Sequence, residues 1–318
     1  MSTQIAALFT PGINKFGGLK FRLYQPEYKK LFRIVPMSGR QWLYQEFQRY
    51  GFPGTTLPLS PVHMDEIRQS FSKALNPITR TLGDIAAKED WDDDPYGMLR
   101  RVLPASAGAM ADSHQQKREY DCFYAFLSVS AYSTASPVTG SPDGKPLFSA
   151  TCPISLYNNA DTFSNRASNP VALSSTAYYS AYTYFRTTKD PNNAFFIQGA
   201  PKYLLHNPSQ RAIALQLANS DYERGSSTQA FTGLQNAAKL DNLQLIENPY
   251  FQKTLSGSAA GTNDGWQLFG DDHGLIFGDR SGFESMSDFD ANLRGYFWVS
   301  EGRYDLGFIH HRNSYSGA

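Results

Sequence analysis

The sequence predicts an α+β chain, and three observations carry that prediction. From Trp91 to Ser130, apolar residues recur at helical spacing on either side of a polar middle. From Ser174 to Phe277, strand-like and helix-like runs alternate, which indicates a mixed α/β lobe. The closing runs Tyr296–Val299 and Tyr304–Ile309 have strand composition.

The Trp91–Ser130 stretch organises the rest. Asp92, Asp93 and Asp94 precede Pro95. Asp94 suits an N-cap, Pro95 suits the first helical position, and the carboxylates suit the positive helix end. Leu99, Val102, Leu103, Ala107 and Met110 form one apolar edge, and Tyr120, Phe123, Tyr124 and Leu127 form another. Between them, Ser113–Glu119 is polar all round. The expectation is a long strut that buries only its ends or one edge. Pro104 removes one ladder bond, so the stretch reads either as a helix bent near Arg100 or as two helices meeting there.

The other elements follow in order. Met1–Gln25 carries Gly12, Gly17 and Gly18 without a period and reads as an extended arm. Phe32, Ile34 and Val35 read as a strand stopped by Pro36, and Trp42, Tyr44, Phe47 and Tyr50 form a dense aromatic run. A Pro/Gly-rich turn at Gly51–Pro61 separates it from a second run, Val62–Glu89. That outward-and-back pattern fits a projecting loop or a small subdomain. The four aromatics then read either as anchors on another molecule or as an internal cluster. Pro142-Asp143-Gly144 marks a turn. Ser174 or Ser175 caps a helix running to Thr188, with Leu173, Ala177, Ala181, Tyr184 and Phe185 on one face. Tyr203–Leu205 is a short strand, and Asn207-Pro208 opens a helix carrying Ala212, Leu215 and Ala218. Strands are expected at Leu243–Ile246, Trp266–Phe269 and Leu275–Phe277.

Composition narrows the function classes. The 318 residues carry 29 Lys plus Arg against 29 Asp plus Glu, so no global basic field draws in nucleic acid. Aromatics are plentiful, with 22 Phe and 19 Tyr, which favours a protein that buries contact surface against others. Two cysteines, Cys122 and Cys152, make no disulfide framework and are expected as free thiols in a reducing compartment. Met1–Pro11 lacks the basic start of a secretory signal, and no apolar run is long enough to span a bilayer.

Catalytic signatures are weak. Asp271, Asp272 and His273 are adjacent on a turn, point different ways and lack a spaced metal partner; a polar turn explains them. His310 and His311 fall on a strand pattern and should face opposite sides, one packed and one in solvent. Gly-x-Ser-x-Gly and P-loop patterns are absent. Lys15, Lys20 and Arg22, interleaved with Phe16 and Phe21, form a small candidate for single-strand binding or a solvated arm. No catalytic, cofactor-binding or metal-binding residue is assigned, and no cofactor is expected.

The order of four stretches resembles the major capsid (head) proteins of tailed bacteriophages, whose fold is shared with the herpesvirus capsid floor. The first is Leu82–Leu103 with its Asp92-Asp93-Asp94-Pro95-Tyr96-Gly97 start. The second is Asp143-Gly144-Lys145-Pro146-Leu147-Phe148-Ser149 with Pro153 and Asn169, similar to the signature of Mu-type head subunits, with Cys152 standing where that pattern has His. The third is Ala200-Pro201-Lys202-Tyr203-Leu204-Leu205 with Pro208 and Ala212. The fourth joins Asn248-Pro249, Trp266–Phe269 and Arg303–Arg312.

The resemblance implies an N-terminal arm (1–32), an extended β-loop (33–90), a peripheral domain with a spine helix (91–169), an axial domain (170–293) and C-terminal strands returning to the peripheral domain (294–318). It implies self-assembly into pentamers and hexamers of an icosahedral head around double-stranded DNA, with assembly in the host cytoplasm. Trp42, Tyr44, Phe47 and Tyr50 would then anchor the loop on a neighbour. Further partners would be a portal protein, a separate scaffolding or decoration protein and weakly held packaged DNA, with no membrane. No trimmed N-terminal scaffolding segment is expected. Some relatives cross-link covalently; Lys73 and Lys88 lie in the relevant region, but nothing marks either as a cross-linking site. Two other readings compete: a soluble α/β hydrolase-like enzyme using Asp271–His273, and a non-catalytic virion binding module.

Overall fold

The structure, a computed structural model, describes residues 15–47, 50, 53–55, 61–94, 98–124, 126, 142–154, 161–190, 195–222, 236–251 and 265–317. The chain divides into two compact units. Unit 1 comprises Met1–Trp42, Leu75–Cys122 and Phe277–Asp305; unit 2 comprises Leu43–Ala74, Phe123–Ile276 and Leu306–Ala318. Among the described residues, no helix is long and apolar enough to cross a membrane.

Unit 1 is a helix laid on a sheet. Helix α1 (15–23) and the single turn α2 (Tyr28–Leu31) lead into strand β1 (Arg33–Pro36). Strand β4 (Ile78–Ala87) is followed by the short helix α3 (Lys88–Asp92) and the long helix α4 (Met98–Tyr124). Two long strands, β10 (Leu275–Asp290) and β11 (Gly295–Phe308), complete a sheet of order β1-β10-β11-β4. β11 pairs antiparallel with β4, from Gly295 opposite Ala87 to Tyr304 opposite Ile78. Leu275–Phe277 and the two closing runs read from the sequence are thus parts of two strands far longer than expected. Polar residues such as Arg280, Glu284 and Asp288 on the exposed face of β10, and Glu301 and Arg303 on the less buried face of β11, hid the continuity of the period.

Three helical expectations change in unit 1. Where an extended arm was expected, 15–23 is helical: its two glycines obscured a period, and Gly17 is where α1 closes on the sheet. A Cβ at Gly17 would stand 2.4 Å from the Phe283 ring. The first part of the acid run closes a helix, since Asp92 is the last residue of α3 and Asp93 its C-cap. Asp94 is described and not helical, and Pro95–Gly97, where the start of α4 was expected, lie outside the described residues. Finally, α4 runs unbroken across Pro104. One lost ladder bond is outweighed where about five further turns follow.

Unit 2 is an α/β lobe. Strand β7 (Pro201–His206) lies between β8 (Gln244–Glu247), parallel to it, and β9 (Trp266–Gly270), antiparallel; β12 (Ser314–Ser316) completes the order β12-β9-β7-β8. Helix α5 (Ser175–Thr187) begins at Ser174, whose side chain accepts from Ala177 N. It buries Ala177, Tyr178, Ala181 and Phe185. Asn207 caps a single 3-10 turn at Pro208–Gln210 that opens α6 (Arg211–Asn219). Helix α6 buries Ala214, Leu217 and Ala218, while Leu215 and Ile213 are exposed, so its inner face lies partly round from the expected one. These side chains meet Leu204, Trp266 and Leu268 in one core. A two-stranded ribbon joins β2 (Trp42–Phe47) to β3 (Gln69–Leu75), and another joins β5 (Cys152–Pro153) to β6 (Thr162–Phe163).

Candidate assembly interface

The β2–β3 ribbon carries the exposed apolar surface that a binding face needs. Along β2, exposure alternates as a strand dictates. Leu43, Gln45 and Phe47 are exposed; Trp42, Tyr44 and Glu46 are half-buried. Of the four expected anchors, Phe47 and Tyr50 are exposed at 58% and 57%, and Leu43, which the sequence reading passed over, is exposed at 54%. Val62, Met64 and Ile67, in the segment that leads into β3, are exposed as well. The four aromatics therefore do not face one way. β3 is the buried partner, holding Phe71 and Leu75.

The inner face of β2 is fixed by charge. Glu46 pairs with Arg312 Nη2, while Arg312 Nη1 donates to the Ile154 carbonyl at 3.2 Å. The Arg312 side chain is 4% exposed and that of Glu46 13%. Sequence reading missed both, because an isolated Glu and a distant Arg carry no local signal.

In unit 1 a buried polar edge holds α4 to the sheet. The edge runs through Ala107, Met110, Ala111, His114, Gln115, Arg118, Asp121 and Cys122. Of the two expected forms of strut, buried ends or one buried edge, it is one continuous edge, and its polar middle is inside it. Arg118 forks onto Asp279 with two bonds of 3.1 Å and donates to the Ser281 carbonyl at 2.7 Å. The guanidinium lies 4.9 Å from the Tyr304 ring centre and 5.0 Å from that of Phe21. Asp121 accepts from Tyr304 Oη at 2.8 Å, Arg80 Nη2 at 3.0 Å and Lys117 Nζ at 2.7 Å. Ser300 Oγ donates its one proton to the Leu82 carbonyl, so it accepts from His114 Nε2 at 3.0 Å, which fixes the Nε2–H tautomer. Burial lowers the His114 pKa, so this ring is neutral.

In unit 2 the Asp143–Ser149 motif proves to be a buried frame. Gly144 sits at φ +78, a backbone region open to glycine, so the turn delivers Asp143 inward. Asp143 Oδ2 meets His311 Nε2 at 3.0 Å, and His311 Nδ1 donates to the Leu147 carbonyl at 3.0 Å. Burial pulls the His311 pKa down, but the bond to Asp143 and the adjacent Cys152 outweigh it and carry it up to about 10. This imidazolium has both N–H groups engaged and no lone pair, so it cannot serve Cys152 as a base. Asn165 accepts from Ser149 N at 2.8 Å and donates to the carbonyls of Leu147 at 2.7 Å and His311 at 3.2 Å. The organising asparagine is therefore Asn165; Asn169 is exposed. Phe126, Phe148 and Phe269 pack beside the frame.

His310 and His311 follow β11 rather than lying on it, and both are buried, so the expected solvent contact is absent. Burial and Arg312 hold His310 neutral, with its pKa lowered to about 3. The remaining candidates do not converge. Asp271 pairs with Lys202, Asp272 is exposed, and His273 lies edge-on to Tyr203 and Phe269. Among the described residues, no cluster of His, Cys, Asp and Glu could hold a metal ion. Phe21 is packed on Phe283 and Arg118, so the arm does not present it for stacking on a base. Lys73 is buried in β3, and Lys88 lies 4.0 Å from Asp92.

The chain is similar to known proteins. A family model described as phage capsid protein matches residues 82–313. No curated protein matches the chain. Among solved structures, the capsid of the cyanophage P-SCSP1u is similar at 12% identity, over 92% of this chain and 87% of that one, with a TM-score of 0.53. The capsid of Myoviridae phage XM1 is 10% identical over 89% of this chain and 88% of that one, with a TM-score of 0.49.

Proposed function

The chain belongs to the phage capsid protein family, a structural and not an enzymatic role, and from that membership we propose how it builds a head. The observation that carries the reading is the family match over 82–313, which takes in β4 from Leu82 onward, α4 and the whole of the unit 2 sheet except β12. Copies assemble as pentamers and hexamers that close an icosahedral shell around double-stranded DNA. Residues 1–32 act as the arm, 33–90 as the extended loop, α4 as the spine of the peripheral domain, and the lobe around α5, α6 and β7–β9 as the axial domain. The closing strands return to the peripheral domain. The loop docks on a neighbouring copy, and Trp42, Tyr44, Phe47 and Tyr50 are its candidate contacts.

A portal protein, a separate scaffolding or decoration protein and weakly held DNA complete the partners, and assembly takes place in the host cytoplasm. The near-neutral, aromatic-rich composition supports the reading, since many modest contacts sum across such a shell. Electron microscopy of the protein expressed alone tests it. Closed shells or pentameric and hexameric rings are expected; dispersed subunits under every assembly condition would contradict it.

A further inference from the structure

We propose that the Glu46–Arg312 pair is a register pin that sets which face of β2 each subunit offers to its neighbour. The inference rests on the loop-docking reading above and names the residues that orient it. A strand has a period of two, so a slip of one residue turns every side chain over. In the observed register Glu46 meets Arg312, and Leu43 and Phe47 point outward. A slip would set Gln45 or Phe47 against a guanidinium that is 4% exposed and would turn Leu43 and Phe47 inward. Such a guanidinium without its carboxylate is strongly unfavourable. Apolar contacts alone discriminate poorly here, because Trp42, Leu43, Tyr44 and Phe47 offer large apolar groups to both faces.

The geometry favours orientation over adhesion as the role of the pair. Arg312 is held from a second side by the Ile154 carbonyl, so part of its anchoring comes from outside β2. Glu46 Oε2 is buried without a hydrogen-bond partner, so the pair is not tuned for greatest stability. A buried ion pair is weak evidence for stability, and the setting of register is the best-attested use of such pairs.

The test uses the full chain and compares wild type, Glu46→Gln, the charge swap Glu46→Arg with Arg312→Glu, and a control Lys202→Gln at an exposed pair. Hydrogen exchange on dissociated subunits and particle yield by electron microscopy are the readouts. Glu46→Gln should speed exchange of the β2 and β3 amides by about a hundredfold, leave β7 protected and reduce closed particles. The swap should restore protection, and the control should match wild type. Wild-type exchange and yield in Glu46→Gln would overturn the proposal, as would exchange raised equally in β7. If Glu46→Gln does not fold, the swap decides: a folded, protected swap supports the pin and an unfolded one overturns it. Failure of wild type to form shells counts against the assembly reading and leaves the exchange result to judge the pin.

Discussion

At position 118 a guanidinium lies almost wholly out of water, and its partners are unequal. The Arg118 side chain is 1% exposed, whereas that of Asp279 is 32% exposed. Removing the carboxylate therefore strands a buried charge, while removing the guanidinium leaves a carboxylate that water reaches. Asp279→Ala should destabilise the chain by about 3–5 kcal/mol, and Arg118→Met by clearly less. Denaturant midpoints of the two variants check the order. The two neighbouring histidines give a pH signature. Folding raises His311 from 6.5 to about 10, so its stabilisation is complete below pH 6.5 and is lost as pH climbs through about 10. His310 runs the other way: folding lowers it from 6.5 to about 3, so stability falls as acid protonates the unfolded chain below pH 6.5. Thermal melting should peak between these limbs, and Asp143→Asn should shrink the alkaline loss. These roles were illegible in the sequence, because a polar residue at helical spacing looks the same whether it faces water or a partner far along the chain. Yet 107, 111, 114, 118 and 122 keep the helical step, and that continuity was the available signal.

The elements were easier to read than their side chains. Helix α5 with its Ser174 cap, β7 and the Asn207-Pro208 start all follow local rules and are seen where those rules put them. The misses have local causes as well. Glycines hid α1, and the acid run fits a helix end as readily as a helix start. The even spread of large residues along β2 left its two faces indistinguishable until burial separated them. Close approach makes Gly17 informative. Gly17→Val should overpack α1 against Phe283 and cost about 1–3 kcal/mol, with faster exchange in 15–23 and little change in β7. A native exchange pattern in that variant would show that α1 does not rest on Phe283.

Over the whole molecule, two separately cored units each carry a buried, charge-containing frame, while β2 turns Leu43 and Phe47 outward. This division suits a subunit whose lobes keep their shape while its joints adapt to different rings. The double variant Leu43→Ser with Phe47→Ser should fold with an unchanged melting temperature, since both side chains are exposed, and should form few or no shells in electron microscopy. The resemblance in the motif order was legible because turns and caps are local, whereas the outward face of the ribbon depends on Arg312, far along the chain. The most direct measurement is a cryo-electron-microscopy reconstruction of the assembled particle that resolves the five-fold and six-fold copies separately. The account predicts that α4, β10 and β11 superpose between those copies and that Leu43 and Phe47 are buried against an adjacent subunit. Leu43 and Phe47 facing solvent in every copy, or an α4 rebuilt from ring to ring, would contradict it.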